Sequence, residues 1–315
     1  MTLFYNRFMK TLIIAALIFL DIIPHGVPFV SDIQKNLENK IKVETHQVAG
    51  NTNQPLDFSP LPYRNDKYYT LTANANAYMA VDMGTGEILL EKDQDQKLEI
   101  ASLTKLMTAR LLLKDGDLNK TVIVKESDLS KVPAEEAKMW LAAGDKVAYN
   151  TLLHGLLINS GADAALTIAD NLYPGGYNEF ISKMNEEAAN LNLKNTHYDN
   201  PVGWDSAQNY STAKDLQILA RTLLQDNTFR KIVDTKSETV YSENGRPYNL
   251  QNTNELLNST TVFGVKTGFT DSAGECLIGA GRVKGQDVLT VVLGTGDRFG
   301  ETKNLLNWAD LVYNW

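Results

Sequence analysis

The sequence predicts an α+β fold in which one sheet is assembled from strands near both ends of the folded body, around a helical middle. Three observations carry this. Residues 77–91 read as a hairpin, with Tyr78-Met79-Ala80-Val81, a turn at Gly84-Thr85-Gly86, and Ile88-Leu89-Leu90. The next stretches place apolar residues at helical spacing. Val262 to Thr267, Glu275 to Arg282 and Asp287 to Gly294 then read as strands separated by turn residues.

Taken in order, Ser102 to Lys114 (SLTKLMTARLLLK) is apolar nearly all round and stops at Gly116, which predicts a buried helix starting at Ser102. Asn150 to Ile158, Asp163 to Asn171 and Tyr177 to Leu191 follow as helices, and Glu301 to Tyr313 closes the chain with helical spacing. Strands at both ends with helices between them require distant segments to pair in one sheet.

Ahead of this body, Arg7 and Lys10 precede the apolar run Leu12 to Leu20, which reads through Asp21 to Ile23 before Pro24 and Gly26 break it. That order predicts an export signal or an uncleaved N-terminal anchor over residues 1–30, because the run is shorter than the ~20 residues that span a bilayer. Residues 31–67 are polar, with Pro55, Pro60 and Pro62, and read as a spacer. The folded body is expected over residues 68–315, at the upper end of a single domain.

Composition narrows the chemistry. Among 315 residues, 30 Lys and Arg stand against 38 Asp and Glu, a net charge of −8 with no basic run, which argues against nucleic acid as a partner. Four His and the lone Cys276 cannot build a disulfide or a His-rich or thiolate zinc cage. No metal or nucleotide cofactor is indicated, so catalysis should rest on oxygen and nitrogen nucleophiles.

Three motifs supply them. Ser102-Leu103-Thr104-Lys105 puts an amine one helical turn from a hydroxyl, and a buried lysine can become the base a serine nucleophile needs. Lys266-Thr267-Gly268 puts a cation on a late strand beside a glycine that admits a ligand backbone. Asn159-Ser160-Gly161-Ala162-Asp163 lies between two helices, where Ser160 could relay a proton or Asp163 could simply cap the next helix.

In that order the motifs resemble those of the low-molecular-mass penicillin-binding proteins, the serine D-alanyl-D-alanine carboxypeptidases, from about Asn74 to the C-terminus. Asp82-x-x-Thr85-Gly86, Asn200-Pro201-x-Gly203, Tyr210-Ser211-Thr212-Ala213-x-Asp215 and Arg298-Phe299-x-Glu301 agree with it. The resemblance implies a β-lactamase/DD-peptidase-like fold with a central antiparallel five-stranded sheet, flanking helices and an all-helical subregion. It also implies removal of the terminal D-alanine from peptidoglycan stem peptides through an acyl-enzyme, with β-lactams as covalent inhibitors, outside the cytoplasmic membrane. Ser102 would be the nucleophile, Lys105 its base, and Ser160 with Lys266 would pass a proton to the leaving group. The N–H groups of Ser102 and Phe269 would form the oxyanion hole, beside Gly268, while Thr267 and Arg298 would hold the terminal carboxylate.

Two positions depart from the family pattern: Ala162 stands where an asparagine is expected, and Val202 where a histidine is frequent. The alternatives are a cell-wall-binding pseudoenzyme, a DD-endopeptidase and a class A β-lactamase. The last would make Glu186-x-x-x-Asn190 its deacylating element, although a solvated helix face also accounts for Glu186.

Overall fold

The computed structural model describes residues 60–65, 67, 71–259 and 261–315. The expected signal or anchor and most of the spacer lie outside these residues. Among the described residues no helix is long and apolar enough to cross a membrane.

Five strands form one antiparallel sheet: β1 (Ala75–Asp82), β2 (Ile88–Lys92), β3 (Val262–Thr270), β4 (Gly274–Val283) and β5 (Gln286–Thr295), in the spatial order β3-β4-β5-β1-β2. The two ends of the chain meet where β1 pairs with β5, with Met79 opposite Val291 and Val81 opposite Leu289. Because successive side chains of a strand point to opposite faces, each central strand feeds two cores. Ala77, Met79, Val81, Leu289, Val291 and Leu293 pack on one side. Tyr78, Ala80, Val288 and Val292 pack on the other.

The first face carries α1 (Lys105–Asp115), α2 (Tyr149–Leu157), α3 (Ala162–Asn171), α4 (Gly176–Asn190), α5 (Ala213–Leu223) and α6 (Asn227–Val233). The second is covered by α7 (Arg298–Val312), which lays Leu305, Leu306, Trp308, Ala309 and Val312 on the sheet. The predicted five strands and the helices between them are therefore present, with ends shifted by a few residues.

Helices α5 and α6 are not among the expected elements, and three further features differ. Ala101–Thr104 is a 3₁₀ turn, and the α-helix starts only at Lys105. The ribbon of Ser237–Tyr241 and Pro247–Gln251 carried too little apolar alternation to be read, its first strand being almost wholly exposed. Tyr63 and Arg64, inside the stretch expected as spacer, pair with Asn314 and Tyr313.

Local motifs set the turns. Asp82 Oδ1 accepts from the N–H and hydroxyl of Thr85, closing the β1–β2 turn, while its Oδ2 accepts from Trp315 Nε1 at 2.7 Å. Thr212 caps α5 by accepting from Asp215 N–H, and Asp215 Oδ2 accepts from the N–H of Asn195 and the hydroxyl of Thr196. Two of the resemblance motifs are thus structural.

Candidate active site

Ser102 sits on the 3₁₀ turn, where residues three apart eclipse one another more closely than on an α-helix. Lys105 Nζ consequently donates to Ser102 Oγ at 2.7 Å, and it donates also to the carbonyl of Val202 at 2.8 Å. That carbonyl is aimed by Asn200, whose Oδ1 accepts the N–H groups of Val202, Gly203 and Trp204. The Val202 side chain is buried, so its contribution to the site is the carbonyl, which any residue could supply.

Backbone packing around the nucleophile is tight. A Cβ on Gly203, whose φ is +100°, would lie 1.9 Å from the carbonyl oxygen of Ala101, and one on Gly268 would lie 3.1 Å from Ser102 N. The Ala101–Ser102 backbone is clamped between two glycines from distant parts of the chain. Ala101 (φ +46°) and Ser160 (φ +57°) both hold left-handed conformations, each costing on the order of 1–3 kcal/mol.

Lys266 Nζ donates to Ser160 Oγ at 2.8 Å and to the carbonyl of Thr267 at 2.9 Å. Ser160 and Lys266 are 4% and 1% exposed, and Lys105 is fully buried. Two amines are thus withdrawn from water beside two hydroxyls. Burial pushes the Lys105 amine down to about 8, against the opposing pull of Glu136 and Asp163. Lys266 lies well below the ordinary lysine range through burial, with the nearby charges of Lys105 and Arg298 acting in the same direction.

These groups meet at a cleft of about 430 Å³ lined by Ser102, Ser160, Thr267, Gly268, Phe269 and Arg298 among others. Arg298 Nη1 donates to the carbonyl of Gly268 at 2.9 Å and the guanidinium lies 5.0 Å from the Phe299 ring. Arg298 Nε is buried without a hydrogen-bond partner, and the guanidinium has no carboxylate within ion-pair distance among the described residues. A positive charge is therefore left facing the cleft. Thr267 Oγ1 lies 2.5 Å from Thr253 Oγ1, a neighbour that sequence reasoning missed because nothing in its own segment marks it. Every predicted site residue is in this assembly.

The alternative roles resolve differently. Asp163 lies inside the first turn of α3, where its Oδ1 accepts from Ala164 N–H at 2.9 Å, and the N-cap position is Gly161. The two carboxylate oxygens of Asp163 accept from Met139 N–H and Leu141 N–H, both at 3.0 Å, and Asn159 Nδ2 donates to the carbonyl of Lys138. Both side chains flanking Ala162 are thereby committed to residues 138–141, and neither replaces the missing asparagine amide. Glu186 is on the exposed face of α4, 2.8 Å from Lys183, and does not line the cleft.

A buried lysine on a serine hydroxyl, a second lysine–serine pair and an unpaired arginine at one edge of a sheet define a serine acyl-transfer enzyme built on a helix start. The comparisons agree in detail. A profile of the D-alanyl-D-alanine carboxypeptidase family, peptidase S11, matches residues 64–297. The D-alanyl-D-alanine carboxypeptidase of Streptomyces sp. (strain K15) is 37% identical over 228 residues, covering 68% of this chain and 78% of that protein. D-alanyl-D-alanine carboxypeptidase DacF of Bacillus subtilis (strain 168) is 31% identical over 252 residues, or 77% of this chain and 64% of its own length. Among solved structures, the Streptomyces K15 DD-transpeptidase superposes with a TM-score of 0.73 at 33% identity, covering 77% of this chain and 99% of that one. D-alanyl-D-alanine carboxypeptidase from Mycobacterium tuberculosis H37Rv gives 0.70 at 29% identity, covering 82% and 95%. The chain belongs to the D-alanyl-D-alanine carboxypeptidase family.

Proposed function

We propose that this protein removes the terminal D-alanine from peptidoglycan stem peptides by a serine acyl-enzyme route, and that β-lactams acylate the same serine. The observation that carries this reading is the 2.7 Å hydrogen bond between a fully buried Lys105 and Ser102. In its neutral form the Lys105 amine takes the Ser102 proton as Oγ attacks the carbonyl of the penultimate D-alanine. The N–H groups of Ser102 and Phe269 receive the negative charge on that carbonyl oxygen. Ser160, held by Lys266, hands a proton to the departing D-alanine nitrogen as the C–N bond breaks and takes in return the proton that Lys105 received from Ser102. Thr267 and Arg298 hold the D-alanine carboxylate, matching the unpaired guanidinium. Water then attacks the ester and restores Ser102.

A substrate of this kind lies outside the cytoplasmic membrane, which gives residues 1–30 their role as export signal or anchor and the polar stretch from residue 31 up to Tyr63, where the chain pairs with the folded body, its role as tether. The retained pairs Ser102–Lys105 and Ser160–Lys266 favour an enzyme over a binding-only relic, because ligand retention alone needs neither buried amine.

The test is release of D-alanine from a D-Ala-D-Ala peptide, together with intact-mass analysis after benzylpenicillin. One long-lived adduct on Ser102 and D-alanine release are expected; rapid penicillin turnover, or no adduct with the drug intact, would overturn the reading. Protonated Lys105 cannot accept the serine proton. The acylation rate is therefore expected to be low below its pKa and to rise with pH through a midpoint near 8. A rate flat between pH 6 and 9 would remove Lys105 as the base.

Ala162 is fully buried at the start of α3, and its N–H donates to the carbonyl of Ala137 at 2.8 Å. A methyl group supplies no amide to orient substrate or amine. Ala162→Asn is expected to raise kcat/KM for the peptide roughly tenfold, in line with one regained polar contact. Steady-state kinetics with a thermal-unfolding control checks this, and an unchanged rate in a folded variant would show that the missing amide is not limiting.

A further inference from the structure

Residues 137–141 run from the cleft to the surface and are riveted at four backbone positions. Ala137 O accepts from Ala162 N–H, Lys138 O from Asn159 Nδ2, and the N–H groups of Met139 and Leu141 are held by the two oxygens of buried Asp163. The side chains of Met139 and Leu141 point inward, 2% and 8% exposed. Met139 fits so closely over Gly155 that a Cβ there would lie 2.2 Å from its Sδ. Between these two anchors Trp140 is turned outward, 74% exposed, with φ at +68°.

A tryptophan is costly in both respects. The left-handed conformation disfavours a bulky side chain and suits glycine or asparagine, and an indole left in water forfeits the burial that normally justifies its size. Neither folding nor backbone preference accounts for Trp140. A ligand that covers the ring does.

The neighbourhood identifies that ligand. Glu135, Glu136 and Ala137 line the cleft that holds Ser102. Trp140 follows Ala137 by three residues, so its Cα stands no more than about 10 Å of extended chain from the cleft wall. A stem peptide with four residues on the glycan side of the scissile bond extends about 14 Å before it reaches sugar. A pyranose offers a C–H face to a flat ring and hydroxyls at its edge, and Lys138 Nζ, over the indole at 5.7 Å from its centroid, supplies a donor close to the ring.

We propose that Trp140 is a platform on which a sugar of the glycan strand stacks while its stem peptide occupies the cleft. The assignment rests on the carboxypeptidase reading and extends it from the peptide to the polymer. Because the loop is already rigid, the indole loses little freedom on contact.

The test compares two substrates on the intact protein: a free pentapeptide ending in D-Ala-D-Ala, and the same pentapeptide on an N-acetylglucosaminyl-N-acetylmuramyl disaccharide. Trp140→Gly is compatible with the positive φ, so its unfolding midpoint is expected to equal or exceed that of the unsubstituted protein. Its KM for the disaccharide pentapeptide should rise roughly fivefold to tenfold with kcat retained, the size of a lost aromatic anchor. kcat/KM for the free pentapeptide should change less than twofold, and Trp140→Tyr should recover most of the KM. Equal effects on both substrates would overturn the platform while leaving the carboxypeptidase reading intact. Equal effects together with loss of sedimentation on phosphatidylglycerol vesicles would reassign Trp140 to a lipid surface. If the unsubstituted protein released D-alanine from neither substrate, both readings would fall together.

Discussion

Ser102→Ala is expected to abolish D-alanine release, by at least about 10⁴-fold, and to leave no penicillin adduct by intact mass. The size follows from what the hydroxyl does. It is the atom that forms the bond to the substrate, and without it the base, the oxyanion donors and the carboxylate anchor have no nucleophile to serve. The fold should be nearly indifferent. Ser102 Oγ accepts one hydrogen bond from Lys105 Nζ, and after its removal that amine still donates to the carbonyl of Val202. Loss of one such bond at a cleft open to water costs about 1 kcal/mol. An unfolding midpoint within a few degrees of the unsubstituted protein, alongside a silent active site, is the expected pair of results. Persistent acylation in the variant would place the nucleophile elsewhere.

Lys105→Met separates activity from stability more sharply. Acylation by benzylpenicillin is expected to slow by roughly 10²–10⁴-fold, the usual worth of a positioned general base, and to lose the rise with pH centred near 8. Stability should not fall. Lys105 is fully buried, and its lowered pKa states that the folded protein opposes the charge it would carry in water. A methionine of similar reach fills the space without that penalty, offsetting the hydrogen bond lost by the Val202 carbonyl. Lys105→Arg should not rescue the rate, since a guanidinium stays protonated throughout the working range. Stopped-flow acylation and thermal unfolding on the same preparations measure both quantities. A variant that acylates normally would shift the role of base to Lys266.

What was legible in the sequence was whatever is encoded by periodicity or by local spacing. Short apolar runs bounded by turn residues over residues 77–91 and 262–294 marked the five strands, and helical spacing marked four of the helices between them, while α5 and α6 went unread. The pairing of Ser102 with Lys105 was legible too, because one turn of helix brings the third residue back above the first. The interval between Lys266 and Ser160 is 106 residues, and no local rule relates them. Their order along the chain, matched to a known family, carried that part.

Several features could be decided only by tertiary structure. Whether Asp163 capped a helix or riveted a loop depended on where residues 139–141 came to rest, as did the commitment of Asn159. The purpose of Gly203 and Gly268 was hidden for the same reason: a missing side chain acquires meaning from the atoms opposite, here the backbone of Ala101 and Ser102. Thr253 beside Thr267 and the outward turn of Trp140 belong with them. A sequence determines its elements through interactions among neighbours a few residues apart, which is why the sheet, the buried helix and the Ser102–Lys105 pair could be read. The charge state of two buried amines, the closure of the cleft and the exposure of one indole arise from segments brought together only by folding, when burial sets the dielectric around each group and determines which partners remain within reach.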